Sequence, residues 1–209
     1  MKLIEHVERI EPNSPVLKYK LTDEYFEIIK NDVQQSLELN KDVGWSLVGS
    51  IYEGREVEFK TNHTHLKEIG NEYMRQFKNE NNSPFEFFVA EAWVVEQKER
   101  DYNPLHMHSS FLSGIMYMQI PKCIGVEKDT RPRTQKNNVD GFIVFLNGYQ
   151  YVQIKPEEGW GFIFPSTVPH QVYPFQGDET RISLSWNLDI QPLGDGPVSI
   201  GMNFNKEAK

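Results

Sequence analysis

From Phe85 onward the chain breaks into short apolar segments rich in aromatic and β-branched residues, each closed by turn formers: FEFFVAEAWVVEQ, FLSGIMYMQI, GFIVFLN, YQYVQIK, GWGFIFP, HQVYPF and RISLSWNL. Segments of this length and spacing predict antiparallel strands of a barrel or jelly roll. Asn147-Gly148 falls between two of them, where a hairpin turn is required.

Ahead of residue 85 the pattern is different. TDEYFEIIKNDVQQSLELN opens with Thr22 as a plausible N-cap, has acids in its first turn, and puts Phe26, Ile29, Val33 and Leu37 on one helical face. NHTHLKEIGNEYMRQFKNENN repeats the design over residues 62–82 with Leu66, Ile69, Tyr73 and Phe77, and WSLVGSIYEGREVEF between them reads as extended. A chain of 209 residues holds one domain and would cramp a second. The expected organisation is a single domain: a mainly helical support region over 1–84, a β core over 85–190 and a tail over 191–209, with the helices packed outside the sheet.

Charge narrows the classes of function. A net charge of −8 argues against binding to a nucleic-acid backbone, which needs a dominant basic face. Glu5 and Glu8 stand where a signal peptide needs an apolar run, and nothing approaches the roughly 18 apolar residues of a membrane span, so a cytoplasmic protein is expected. Cys123 is the only cysteine, which removes disulfides and thiolate clusters from consideration. Any metal must be held by His, Asp or Glu.

Two His-x-His pairs stand out among six histidines. His63 and His65 fall in the first turn of the second predicted helix, where residues i and i+2 diverge by about 200°, so they read as surface or capping residues. His106 and His108, in NPLHMHSS, lead into an apolar run. On a strand they would share a face about 6.5 Å apart and could lean toward one ion. His170 opens a later segment, and Arg181 and Ser183 share one face of the segment after it. A barrel can bring these strands to one mouth. Three neutral nitrogen ligands with vacant positions suit Fe(II), Zn(II), Cu(II) or Ni(II). A guanidinium inside a barrel needs an acidic partner or a bound anion, and a dicarboxylate cosubstrate would serve.

YNPLHMHSSFLSGIMYMQIP followed by GWGFIFPSTVPHQVYPFQGDETRISLSWNL resembles the Fe(II)/2-oxoglutarate-dependent dioxygenases, and more closely a branch of small viral and bacterial oxygenases with His-x-His followed by Ser-Gly-x-x-Tyr. The resemblance spans about residues 90–190. It implies a mainly β fold with flanking helices around a double-stranded β-helix, the jelly roll of cupin-like proteins. It implies His106, His108 and His170 as catalytic metal ligands, Fe(II) as the metal, and Arg181 with Ser183 on the far carboxylate of 2-oxoglutarate. The reaction it implies is hydroxylation of a substrate with release of succinate and CO2. At position 108 the family usually has Asp or Glu, so this chain departs from it by one negative charge. Tyr117 is a further cosubstrate candidate, reaching inward only if a bulge reverses its parity with His108; otherwise it is core packing.

Two rivals stand beside this reading: a non-enzymatic metal-binding jelly-roll module, and a three-His dioxygenase that does not use 2-oxoglutarate. Lys122, Lys128, Arg131, Arg133 and Lys136 cluster in KCIGVEKDTRPRTQKNN, which is either a solvated loop or a lid that would favour an anionic small molecule or peptide. Trp93, Trp160 and Trp186 are expected in the core.

Overall fold

The computed structural model describes residues 2–39, 41–61, 63–77, 85–126 and 139–194. In chain order the elements are β1 (Ile4–Arg9), β2 (Leu17–Leu21), α1 (Asp23–Leu39), a 3-10 turn (Gly44–Ser46), β3 (Arg55–Glu58), α2 (Thr64–Phe77), β4 (Phe85–Gln97), β5 (Asn103–His106), β6 (Leu112–Gln119), β7 (Ile143–Asn147), β8 (Gln150–Ile154), β9 (Trp160–Pro165), β10 (His170–Val172) and β11 (Arg181–Pro192). They form a seven-stranded sheet in the order β1-β2-β9-β6-β11-β4-β3 and a four-stranded sheet in the order β5-β10-β7-β8. All strand pairings within the two sheets are antiparallel. Two such sheets face to face make the jelly roll that the spacing of apolar segments predicts.

The larger sheet is buried on both faces, for different reasons. On one face Leu184, Trp186 and Leu188 of β11 pack with Ile29 of α1 and Leu66 and Ile69 of α2 in a single core. Each fully buried aliphatic side chain of this kind contributes about 1.5–3 kcal/mol. Trp186 lies directly over its cross-strand partner Gly114, where a Cβ would sit 2.3 Å from the indole, so no larger residue fits. On the other face Tyr117 of β6 and Phe162 and Phe164 of β9 meet Phe145 of the smaller sheet in a second core. Beside this core, lined in part by its Ile143, Phe164 and Val172, lies a cavity of about 210 Å³.

The helical periods hold: Ile29, Val33 and Leu37 are buried on α1, and Leu66, Ile69, Tyr73 and Phe77 on α2. Residues 78–82 of the second predicted helix lie outside the described residues. Beyond its helices, the segment before residue 85 supplies three strands to the larger sheet. In β2 the alternation Leu17, Tyr19, Leu21 inward and Lys18, Lys20 outward is a strand pattern that the reading of the N-terminus overlooked. The hairpin sits one residue later than expected. Asn147 pairs with Gln150, so the turn is Gly148-Tyr149, with Gly148 at φ +60° where a side chain would be strained. Among the described residues, no helix is long and apolar enough to cross a membrane.

Candidate metal centre

Backbone pairing creates the site. β5 and β10 are neighbours, and His106 is the cross-strand partner of His170, so the two imidazoles project side by side from one face. Their ring centroids are 4.2 Å apart. His108 arrives differently from expectation. The strand ends at His106, and His108 lies in the irregular segment between β5 and β6, so it shares no strand with its neighbour. Its placement comes from its backbone N–H, which donates to Ser166 O at 2.9 Å and brings the chain back across the end of β9. The His108 ring lies 4.9 Å from His106 and 5.3 Å from His170, centroid to centroid. One nitrogen from each ring falls within 4.8 Å of the other two.

The hydrogen bonds fix which nitrogens are available. His106 Nδ1 lies 2.7 Å from Pro104 O and His170 Nδ1 lies 3.0 Å from Val168 O. A carbonyl accepts only from N–H, so both rings carry their proton on Nδ1 and keep the Nε2 lone pair for a ligand. His108 is held by Asn187, whose Nδ2 is 3.4 Å from its Nδ1. Asn187 Oδ1 in turn accepts from Ser113 Oγ at 2.7 Å, and Ser113 Oγ meets Ser166 Oγ at 2.8 Å. Turning the amide over would let Oδ1 accept from Nδ1–H and release Nε2, since the serine hydroxyls can reverse with it.

Electrostatics favour the neutral imidazoles that metal binding requires. Burial, reinforced by the neighbouring His106, lowers His108 to about 4 and His170 to about 3, and burial lowers His106 as well. Phe164 and Phe145 wall off His170, which is 7% exposed. His63 and His65 take no part. His63 ring Nε2 bonds Phe59 O and its carbonyl receives the Lys67 N–H at the start of α2, while His65 packs on Tyr25.

Ser183 lines the cavity, and Arg181, one step further along the same face of β11, is fully buried. The guanidinium is not on the cavity wall, and no acid contacts it among the described residues. Its Nε and Nη2 donate to Gln97 Oε1 at 2.9 and 2.6 Å, and Nη1 donates to Gly141 O at 2.8 Å. A buried guanidinium cannot stay bare, and here neutral oxygens take three of the five N–H groups such a side chain carries. The positive charge itself is left uncompensated by contact. Burial lowers Arg181 to about 10, so it is charged at neutral pH.

Tyr117 stands opposite Ser183 on the neighbouring strand, with a register shift between Ile182 and Ser183. Its hydroxyl is buried without a hydrogen-bond partner among the described residues, and burial raises its pKa against the opposing pull of Arg181. The expected parity with His108 does not apply, because the chain leaves one sheet and enters the other between the two residues. An orphaned hydroxyl beside an uncompensated guanidinium is the environment that a carboxylate would complete.

The sequence reading missed four contributors: Gln97, Asn187, Trp93 and Glu56. Trp93 faces the cavity, whereas Trp186 is core as expected, and Trp160 is a half-buried platform under Lys18. In the basic run, Lys128, Arg131, Arg133 and Lys136 lie outside the described residues. Glu56 is the largest surprise, being 1% exposed and lining the same cavity as the histidines.

Burial, with Asp42 and Asp101 nearby, pushes the Glu56 carboxyl up to about 7. A raised folded-state pKa means stability that is fully present below the unfolded value near 4.5 and is lost as pH rises through 7. Glu91 is the other acid facing this cavity. The three histidines titrate in the opposite sense, so the effect is read as wild type minus Glu56→Gln. In urea unfolding of metal-free protein, the difference in stability should shift against wild type by on the order of 3 kcal/mol between pH 4.5 and 8. A flat difference would mean that the carboxyl is not desolvated.

Residues 91–187 match the profile of the family described as "Putative 2OG-Fe(II) oxygenase". No curated protein matches the chain in sequence. Solved structures match its shape at low identity. A Pseudomonas putida prolyl-4-hydroxylase is 12% identical, with TM-score 0.55 over 84% of this chain and 93% of that one. The viral collagen prolyl hydroxylase of Paramecium Bursaria Chlorella virus-1, in a 2-oxoglutarate complex, is 12% identical, with TM-score 0.53 over 86% and 98%. An oxidoreductase of the 2OG-Fe(II) oxygenase family from Burkholderia pseudomallei gives 12% and 0.55 over 84% and 85%. The fold is thus that of a jelly-roll oxygenase. The profile match covers the β core, 97 of the chain's 209 residues, and makes the chain similar to the 2OG-Fe(II) oxygenases, which are oxidoreductases.

Proposed function

We propose that the protein is a non-haem Fe(II)/2-oxoglutarate-dependent dioxygenase that hydroxylates a small molecule or a peptide. The carrying observation is the convergence of His106, His108 and His170 on one point in a cavity, with two Nε2 lone pairs already oriented by backbone carbonyls. Fe(II) and 2-oxoglutarate, when bound, supply the oxidation: substrate C–H, O2 and 2-oxoglutarate become C–OH, succinate and CO2. The protein's part is to position and to exclude. The three imidazoles hold the ion while leaving coordination positions for other ligands. Arg181, Ser183 and the Tyr117 hydroxyl receive the far carboxylate of the cosubstrate, the guanidinium supplying the charge and the hydroxyls the remaining hydrogen bonds. Phe145 and Phe164 keep water from His170, and Asn187 sets the His108 ring.

With three histidines the protein gives a divalent ion no negative charge, so binding leaves the full charge for anionic ligands. That favours an oxo-acid chelate. A specific observation favours one rival: Arg181 is already held by Gln97 and Gly141 and lies off the cavity wall, which suits a three-His dioxygenase that does not use 2-oxoglutarate. Anaerobic Fe(II) titration separates the two. The expected result is a weak visible charge-transfer band that appears only when both Fe(II) and 2-oxoglutarate are present. Tight Fe(II) binding with no band at saturating 2-oxoglutarate would select the rival.

A further inference from the structure

The histidine cavity contains a second chemical feature, on the wall formed by β3. Glu56 is the cross-strand partner of Val95 and shares its face, so both look into the cavity. It is 1% exposed, and among the described residues neither carboxylate oxygen has a hydrogen-bond partner. The other buried acid among the described residues is accounted for. Asp101, fully buried, accepts four backbone N–H groups, from Tyr52, Glu53, Gly54 and Lys98. Those bonds pin the turn that leads into β3, so Glu56 is an acid held in place with nothing to hold.

The surroundings specify what is missing. The 3-10 turn and the residues after it pass over the carboxylate as glycines: a Cβ at Gly49 would lie 2.7 Å from Oε1, and one at Gly44 would lie 3.2 Å from Oε2. Glu56 also lines a second pocket with Asp42, Gly49 and Arg55, whose guanidinium is paired with Glu96 at 2.6 Å. Among the described residues, no Lys or Arg lines the histidine cavity, and its other acid is Glu91. Trp93, Val95 and Val48 line the same cavity as Glu56, and the Ser46 hydroxyl on it donates to Val43 O at 2.9 Å. A buried, unpartnered acid with a like charge nearby is costly unless a donor completes it.

We propose that Glu56 is the anchor for the primary substrate and that this substrate carries a cationic nitrogen, an amine, amidine or guanidine, on an apolar body. Calling the occupant a substrate rests on the oxygenase reading above; the cation site itself does not. Its cation would neutralise the carboxylate, and Trp93 and Val95 would flank the attached apolar group. This reverses the substrate charge suggested by the basic run between residues 122 and 138, of which the one described basic side chain, Lys122, does not line the cavity. The raised Glu56 pKa agrees with an acid awaiting a cation, which on binding would draw it back down.

The test compares benzamidine, a cation, with benzamide, its neutral isostere. Calorimetric titration at pH 8, where Glu56 is ionised, uses the full chain, first metal-free and then with Zn(II) and 2-oxoglutarate. Wild type should bind benzamidine at least tenfold more tightly than benzamide. Glu56→Gln, similar in size but uncharged, should abolish that preference and still show the Fe(II)/2-oxoglutarate band of wild type. Gly49→Ala, which crowds Oε1, should weaken benzamidine binding in the same direction. The proposal is overturned if wild type does not prefer benzamidine, if neither compound binds at millimolar concentration in either state, or if Glu56→Gln keeps the preference. Loss of the band in wild type, with the preference intact, would overturn the oxygenase reading and leave the cation site standing.

Discussion

Replacing His170 with Ala should abolish metal binding and leave the fold intact. His170 is the most enclosed of the three histidines and the direct cross-strand partner of His106, so its loss removes one ligand and the face that aligns another. The strands that carry it are joined by backbone pairing to β5 and β7, which a side-chain truncation does not touch. Bound Zn(II) or Fe(II), measured by elemental analysis after gel filtration, should fall from one equivalent to near zero. The circular dichroism spectrum should stay that of wild type. A second readout is thermal: an ion held a hundredfold above its Kd stabilises wild type by about 2.7 kcal/mol, and the variant should gain nothing. Should His170→Ala fail to fold, the ion would be a structural one, of the kind whose binding energy is folding energy.

Arg181→Ala is expected to weaken 2-oxoglutarate binding by two orders of magnitude or more while leaving metal affinity nearly unchanged. Breaking a buried charged pair by removing one partner typically costs about 3–5 kcal/mol, and a cosubstrate carboxylate without the guanidinium would be such a remainder. The variant also strands Gln97 Oε1 and Gly141 O, so part of the change will appear as lost stability. Arg181→Lys discriminates between these effects. It retains charge but loses the planar fork, so it should recover part of the affinity without matching wild type. Succinate formation unaffected by Arg181→Ala would remove the cosubstrate role assigned to this residue.

Much of this was legible in the chain because the relevant patterns are local. The period of Leu66, Ile69, Tyr73 and Phe77 gives one face of a helix, and each apolar block after Phe85 contains a strand, although β10 stops at Val172, β11 runs on to Pro192 and β5 has no block of its own. Spacing singled out His106 and His108, and the start of a later apolar segment together with the family resemblance pointed to His170, yet the reason the three meet is tertiary. His106 and His170 are 64 residues apart and share a strand pair, and His108 is placed by a hydrogen bond to Ser166. Glu56 was illegible for a related cause. In REVEF the apolar Val57 and Phe59 mark the inward face of an ordinary amphipathic strand and send Glu56 toward solvent. Its other face is covered by the small sheet and the Gly44–Gly49 segment, which no local period announces. Gln97 carried no signal either, because its role depends on lying opposite Arg181 in the register of β4 and β11.

The position of β11 has a consequence for how the chain is made. This strand comes last among the described elements, yet it lies in the middle of the larger sheet, between β6 and β4. A ribosome releasing the chain from its N-terminus therefore exposes two incomplete half-sheets, β1-β2-β9-β6 and β4-β3, each with an unsatisfied edge waiting for the same strand. Such edges are templates for pairing with other chains, and closure across so long a separation is slow. Any truncation upstream of Arg181 leaves that seam open permanently. The last of the described strands to emerge is thus both the keystone of the sheet and the carrier of Arg181 and Ser183, so a chain that has not finished this sheet also lacks its proposed cosubstrate anchor.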